Sequence, residues 1–155
     1  MSPYADSNFF TRLYLTLRES ESAETLLDRA LRSGASALPL TWLHRLEIIN
    51  AFEQQVFASR VHGQPKISAE QAAAAQAHFR EDLARATFVA PVQFAEDELA
   101  DAFEELTLRH TARHGFRTYD IIHVASALLL DCDTFWSFDV KACRLAALEG
   151  LKLAT

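Results

Sequence analysis

Apolar positions along this chain alternate between short runs and helical spacing, and that alternation predicts its elements. Ser2 to Asp6 reads as a first strand, with Pro3 tolerable at its start. Ser7-Asn8 offers a helix cap, and Phe9, Phe10, Leu13, Tyr14 and Leu17 follow at helical spacing. A second helix spans Glu21 to Ser33, with Ala23, Leu26, Leu27, Ala30 and Leu31 facing inward, and Gly34 stops it. Ala35 to Leu40 is a second strand. Thr41 then caps a long helix to about Val61, with apolar Trp42, Leu43, Leu46, Ile49, Phe52, Val56 and Phe57; Gly63 and Pro65 end it. Ser68 opens another helix, and the alanine-rich Gln71 to Ala77 belongs to it because alanine is the best helix former. Thr87 to Val92 is a third strand. Ala95 to His114 is a helix whose acidic start and basic end suit the helix dipole.

The C-terminal part is denser in information. Arg117 to Leu130 is apolar almost all round, so it predicts a buried helix. It nevertheless carries Asp120 in its first turn. Thr134 to Phe138 is an aromatic-rich run that suits an interior strand, and Asp139 follows it, before a helix from Val140 and a last strand from Leu151 to Ala154. Strands alternating with helices imply an α/β fold: a mostly parallel sheet between two layers of helices. Ligands bind at the carboxyl ends of the strands in such sheets.

The chain has 155 residues, enough for a single domain, residues 1–155, with its own core. No basic segment followed by an apolar run opens it, and Val124 to Leu130 is too short to span a bilayer, so no membrane association and a cytoplasmic location are expected. Cys132 and Cys143 form no CxxC pair and read as reduced thiols. The net charge of −6 argues against coating nucleic acid by bulk electrostatics, but not against an enzyme that gathers acids around cations. Arg12, Arg45, Arg117, Lys141 and Arg144 each fall near one of those acids in sequence.

Asp6 ends the first strand, Asp139 follows the fourth, Asp120 lies in the helix between, and Glu47 sits among Leu46, Ile48 and Ile49. Each has an ordinary structural reading: Asp120 complements a helix dipole, Asp139 caps a helix, and Glu47 faces water. Converging, they would suit a hard cation such as magnesium or manganese. Asn8, with Ser7 or Ser137, is a candidate neutral oxygen for orienting ligands or water. His123, one turn after Asp120, reads as that acid's hydrogen-bonded partner. Four carboxylates in one cleft repel, so each is expected to ionise less readily than in the unfolded chain. On that view Asp139→Asn would raise metal-free stability. No phosphate-binding glycine loop, zinc-protease motif or nucleophile elbow is present.

Together these residues resemble a PIN-domain nuclease, and more narrowly a VapC-type toxin ribonuclease of a toxin–antitoxin pair. The resemblance rests on Tyr4-Ala5-Asp6-Ser7-Asn8, on Leu40-Thr41 through Leu46-Glu47 and Asn50-Ala51, and above all on Asp120-Ile121-Ile122-His123-Val124-Ala125-Ser126-Ala127 and Ser137-Phe138-Asp139. It implies a sheet of about five strands, a size usual for such sheets. It also implies Asp6, Glu47, Asp120 and Asp139 as a quartet holding Mg2+ or Mn2+, cleavage of RNA, an antitoxin partner and frequent homodimers. Two alternatives remain at this level: a housekeeping nuclease without antitoxin, and a non-enzymatic binding module. A haloacid-dehalogenase-type phosphatase would call for a second aspartate where this chain has Asn8.

Overall fold

The computed structural model describes residues 1–62 and 66–154. In chain order the elements are β1 (Pro3–Ala5), α1 (Ser7–Tyr14), α2 (Ser20–Arg32), β2 (Leu38–Leu40), α3 (Trp42–His62), α4 (Ala69–Arg85), β3 (Val89–Pro91) and α5 (Glu96–Leu106). The last of these continues through a π-helical segment, Thr107–Thr111, into α6 (Ala112–His114). Then come α7 (Thr118–Leu129), β4 (Thr134–Trp136), α8 (Val140–Leu148) and β5 (Lys152–Ala154). The expected strands are all present, each trimmed to three residues within its predicted span. The Gly63 and Pro65 stop signal lies outside the described residues.

Every strand pair is parallel, but the five strands form two ladders: β1-β4-β5 and β2-β3. The reason lies in two prolines. Asp6 donates its N–H to Trp136 of β4, whereas Leu38 donates to Phe88 and Leu40 accepts from Val92 on the β3 side. Main-chain groups alternate between the two edges of a strand, so Pro3 and Ala5 of β1 face Pro39 of β2. Neither proline has an N–H to give. The seam is closed instead by Ser36 N–H to the Met1 carbonyl at 3.3 Å and by the His44 side chain on the Ala5 carbonyl at 2.8 Å.

Alternation of side chains along the strands feeds two cores. Ala5 and Trp136 pack with Phe9, Phe10, Ile48, Phe52 and Phe79. Tyr4 and Phe135 pack on the other face with Ile121, Val124 and Leu145. The result is the expected α/β/α layering. Some helix faces differ from expectation. Leu31 is exposed, and on α3 Trp42, Leu46, Phe57 and Val61 are each more than half exposed while Leu43, Ile48, Phe52 and Val56 are buried. Ser68 and Gln71 form the reciprocal capping box that starts α4. The π-helical segment was not foreseen. It brings Arg109 and His110 onto Glu149, just past α8, at 2.8 and 2.5 Å. No helix among the described residues is long and apolar enough to cross a membrane.

Candidate active site

The cap of α1 is Asp6 itself, not Ser7 or Asn8. Its Oδ1 accepts from the Phe9 N–H at 2.9 Å, which fixes the carboxylate where β1 ends. Its Oδ2 accepts from the Ser137 hydroxyl at 2.6 Å. Asp6 is buried, and burial pushes its carboxyl above the usual range against the opposing pull of His123, Ser137 and the Phe9 N–H.

Ser137 joins two strand ends. While its hydroxyl donates to Asp6, its oxygen accepts the Asp139 N–H at 2.9 Å. Asp139 caps α8 as the sequence suggests, taking the N–H groups of Lys141 at 2.8 Å and Ala142 at 3.3 Å on Oδ1. Its Oδ2 accepts from Arg117 at 2.6 Å. Partial burial opposes ionisation of Asp139, but the cap N–H groups and Arg117 outweigh it and hold the carboxyl below its usual range. The expectation of uniformly raised acids therefore fails at this residue, because a guanidinium lies where only repulsion was foreseen.

Asp120 is buried at the start of α7. It takes the Arg117 guanidinium with both oxygens, each at 3.1 Å, and the Arg117 N–H at 3.2 Å. One guanidinium thus bridges Asp120 and Asp139, and those two carboxylates hold its pKa above the ordinary value for arginine. Arg12, by contrast, pairs with Glu19 at 2.9 Å and lies over the Phe138 ring.

Glu47 pairs with a different residue. Its partner is His123 Nε2 at 2.6 Å, while His123 Nδ1 meets the Tyr4 hydroxyl at 2.9 Å. Burial keeps the Tyr4 phenol protonated. His123 Nε2 carries the proton given to the Glu47 carboxylate. The expected His123–Asp120 pair does not form: Asp120 turns back toward Arg117, and the His123 ring turns inward to the sheet. Beneath it lies His44, its ring tilted 56° with centroids 4.8 Å apart. Its Nδ1 accepts from the Thr41 N–H at 3.0 Å and its Nε2 donates to Ala5. Burial, with His123 close by, pushes the His44 pKa well down, so this imidazole is neutral.

Tyr4 and His44 were absent from the sequence-based site. Thr41 and His44, spaced as in a capping box but with histidine as third helical residue, carry the one signal that points to the latter. Asn8 Oδ1 is buried without a hydrogen-bond partner. An open groove of about 560 Å3 runs beside Glu47, lined also by Ser7, Trp42, Asn50, Tyr119 and Ile122.

The carboxylates of Asp6, Glu47, Asp120 and Asp139 are hard oxygen donors, which suit a divalent cation by type. Among the described residues no three acids, histidines or cysteines are gathered closely enough to hold one as they stand. Arg117 fills the gap between Asp120 and Asp139, and His123 holds Glu47.

No family model and no curated protein matches the chain. Solved structures do. VapC20 of Mycobacterium tuberculosis, a sarcin–ricin-loop-cleaving toxin, is 19% identical with a TM-score of 0.60, over 92% of this chain and 94% of that one. VapBC2 of Rickettsia felis, solved bound to a DNA fragment from its promoter, is 13% identical with a TM-score of 0.66, over 99% and 98%. The chain has the VapC-type fold that its sequence resembles.

Proposed function

We propose that the protein is a divalent-cation-dependent endoribonuclease, acting as the toxin of a toxin–antitoxin pair, with Asp6, Glu47, Asp120 and Asp139 as its acidic quartet. The observation that carries this reading is the hydrogen-bonded chain Asp6–Ser137–Asp139–Arg117–Asp120 at the carboxyl ends of β1 and β4, on a VapC-type fold. The relative that cleaves the sarcin–ricin loop supports structured RNA as substrate.

Asp6, Glu47, Asp120 and Asp139 would hold the magnesium or manganese ion, which would supply positive charge against the phosphodiester and acidify a bound water. The chain's own groups do the rest. Ser137 fixes Asp6 and Asp139 relative to each other. His123, anchored by Tyr4, fixes Glu47 at the groove wall. Trp42 and Tyr119 offer exposed aromatic faces in that groove, on which unstacked RNA bases pack.

The likeness to VapBC2, solved bound to a DNA fragment from its promoter, supports an antitoxin partner. The exposed apolar row Trp42, Leu46, Phe57 and Val61 on α3 is the surface we assign to it, and an Arg or Lys of the partner would meet the acids. A homodimer is part of the same reading.

Purified protein is incubated with ribosomal RNA in manganese or in chelator. Wild type cleaves only with manganese, and Asp120→Asn loses about a hundredfold or more in rate with a native circular-dichroism spectrum. Undiminished cleavage by Asp120→Asn removes the quartet. Growth arrest on expression, relieved by co-expressing the neighbouring gene, supports the toxin role; harmless expression favours a housekeeping nuclease.

A further inference from the structure

We infer that Arg117 is a built-in stand-in for the metal: its guanidinium and a divalent cation are mutually exclusive occupants of the space between Asp120 and Asp139. This rests on the quartet binding a cation. The guanidinium takes both Asp120 oxygens at 3.1 Å and Asp139 Oδ2 at 2.6 Å, so it uses the carboxylate faces that look at each other. The remaining Asp139 oxygen is committed to the α8 cap. A cation entering between these acids meets positive charge at contact distance.

The rest of the arginine is built to leave. Its side chain is 60% exposed, against 8% for Asp120 and 28% for Asp139. The acids are fixed by helix starts and by Ser137, whereas the arginine is held by its tip. Its backbone N–H stays on Asp120 after the tip has swung out, because that bond belongs to the start of α7. Without metal the guanidinium holds two like charges together. With metal it is released at the mouth of the cleft as a free cation, where an incoming phosphate is a natural partner.

The test is metal binding without RNA. Mn2+ is titrated calorimetrically into wild type, Arg117→Gln, Arg117→Lys and Lys141→Gln. The last removes a nearby exposed charge, whose ammonium reaches the Gly115 carbonyl at 3.4 Å. Arg117→Gln binds Mn2+ about three- to tenfold tighter, the scale of two partly exposed ion pairs no longer competing. Arg117→Lys, which keeps the charge and loses the fork, also binds tighter than wild type, and Lys141→Gln changes less than twofold. Unchanged or weaker binding by Arg117→Gln overturns the inference. Equal tightening by Arg117→Gln and Lys141→Gln overturns it in favour of diffuse charge. No binding by any of the four proteins overturns both the inference and the metal site beneath it.

A second readout does not depend on the variants folding. In wild type the Arg117 Nε–H exchanges slowly with solvent, because it donates to Asp120. Saturating Mg2+ accelerates that exchange at least tenfold; an unaltered rate in protein that binds Mg2+ overturns the inference.

Discussion

Ser137→Ala is the most informative single-atom change at this site. Ser137 is 1% exposed, and its hydroxyl serves two clients at once: the Asp6 carboxylate at 2.6 Å and the Asp139 N–H at 2.9 Å. A hydrogen bond to an ionised group contributes about 1.5–3 kcal/mol, and a buried N–H left unpaired costs about 1–3 kcal/mol. The two effects share one oxygen and do not add in full, so we expect a loss of about 2–4 kcal/mol at neutral pH. For a chain of this size that lowers the melting temperature by roughly 5–15 °C. The loss has a pH signature. The folded Asp6 carboxyl already lies above its unfolded value of 3.8, so the folded state binds more protons and stability falls as pH rises through the interval. Removing the serine raises that carboxyl further and steepens the fall. Urea denaturation of both proteins at pH 7.5 and pH 4.5 should therefore show the larger difference at pH 7.5. A difference below about 0.5 kcal/mol, ordinary for surface positions, or one equal at both pH values, would refute the role of Ser137 as the link between the two acids.

Other outcomes follow from the same geometry. Asp139→Asn should lower the metal-free melting temperature by about 1–4 °C, reversing the expectation from repulsion alone, because Arg117 loses a partly exposed partner worth about 0.5–1 kcal/mol while the cap survives. Asp139, held low, contributes stability above its unfolded pKa of 3.8 that is lost as pH falls through its folded value. Acid titration of wild type and Asp139→Asn in urea reads that difference. His44→Phe strands the Ala5 carbonyl and the Thr41 N–H and should cost about 2–4 kcal/mol. Wild-type stability should also fall as pH drops below 6.5, since the unfolded histidine takes a proton there that folded His44 refuses; that slope should be shallower in His44→Phe.

The helices were legible because their burial follows 3.6-residue spacing, and the layering follows from alternation of strands and helices. Asp6, Asp120 and Asp139 were legible because strand ends and helix starts place short acids predictably. What escaped was set by tertiary contact. Ser7 and Asn8 looked like caps, yet Asp6 takes that task because its side chain already stands at the end of β1. His123 lies one turn from Asp120 but answers to Glu47, 76 residues earlier in the chain. Arg117 reads as a solvated cation until β4 delivers Asp139 to it. The exposed Trp42 and Phe57 satisfy helical spacing and still face outward, since an apolar residue on a helix can serve a partner as well as a core.

The proline seam between β1 and β2 has a mechanical consequence. Asp6 and Asp139 follow strands of one ladder, and Asp120 rides on the helix packed behind it. Glu47 follows a strand of the other ladder. Among the described residues no strand-to-strand zipper ties these two plates at the level of the site; side chains do, the His44 imidazole gripping Ala5 from the first turn of α3 and His123 of α7 holding Glu47. The spacing of Glu47 from the three aspartates is thus set by side chains, His44 on Ala5 and His123 on Glu47, so substitutions at positions 44 and 123 retune it without unpicking a single rung of either ladder.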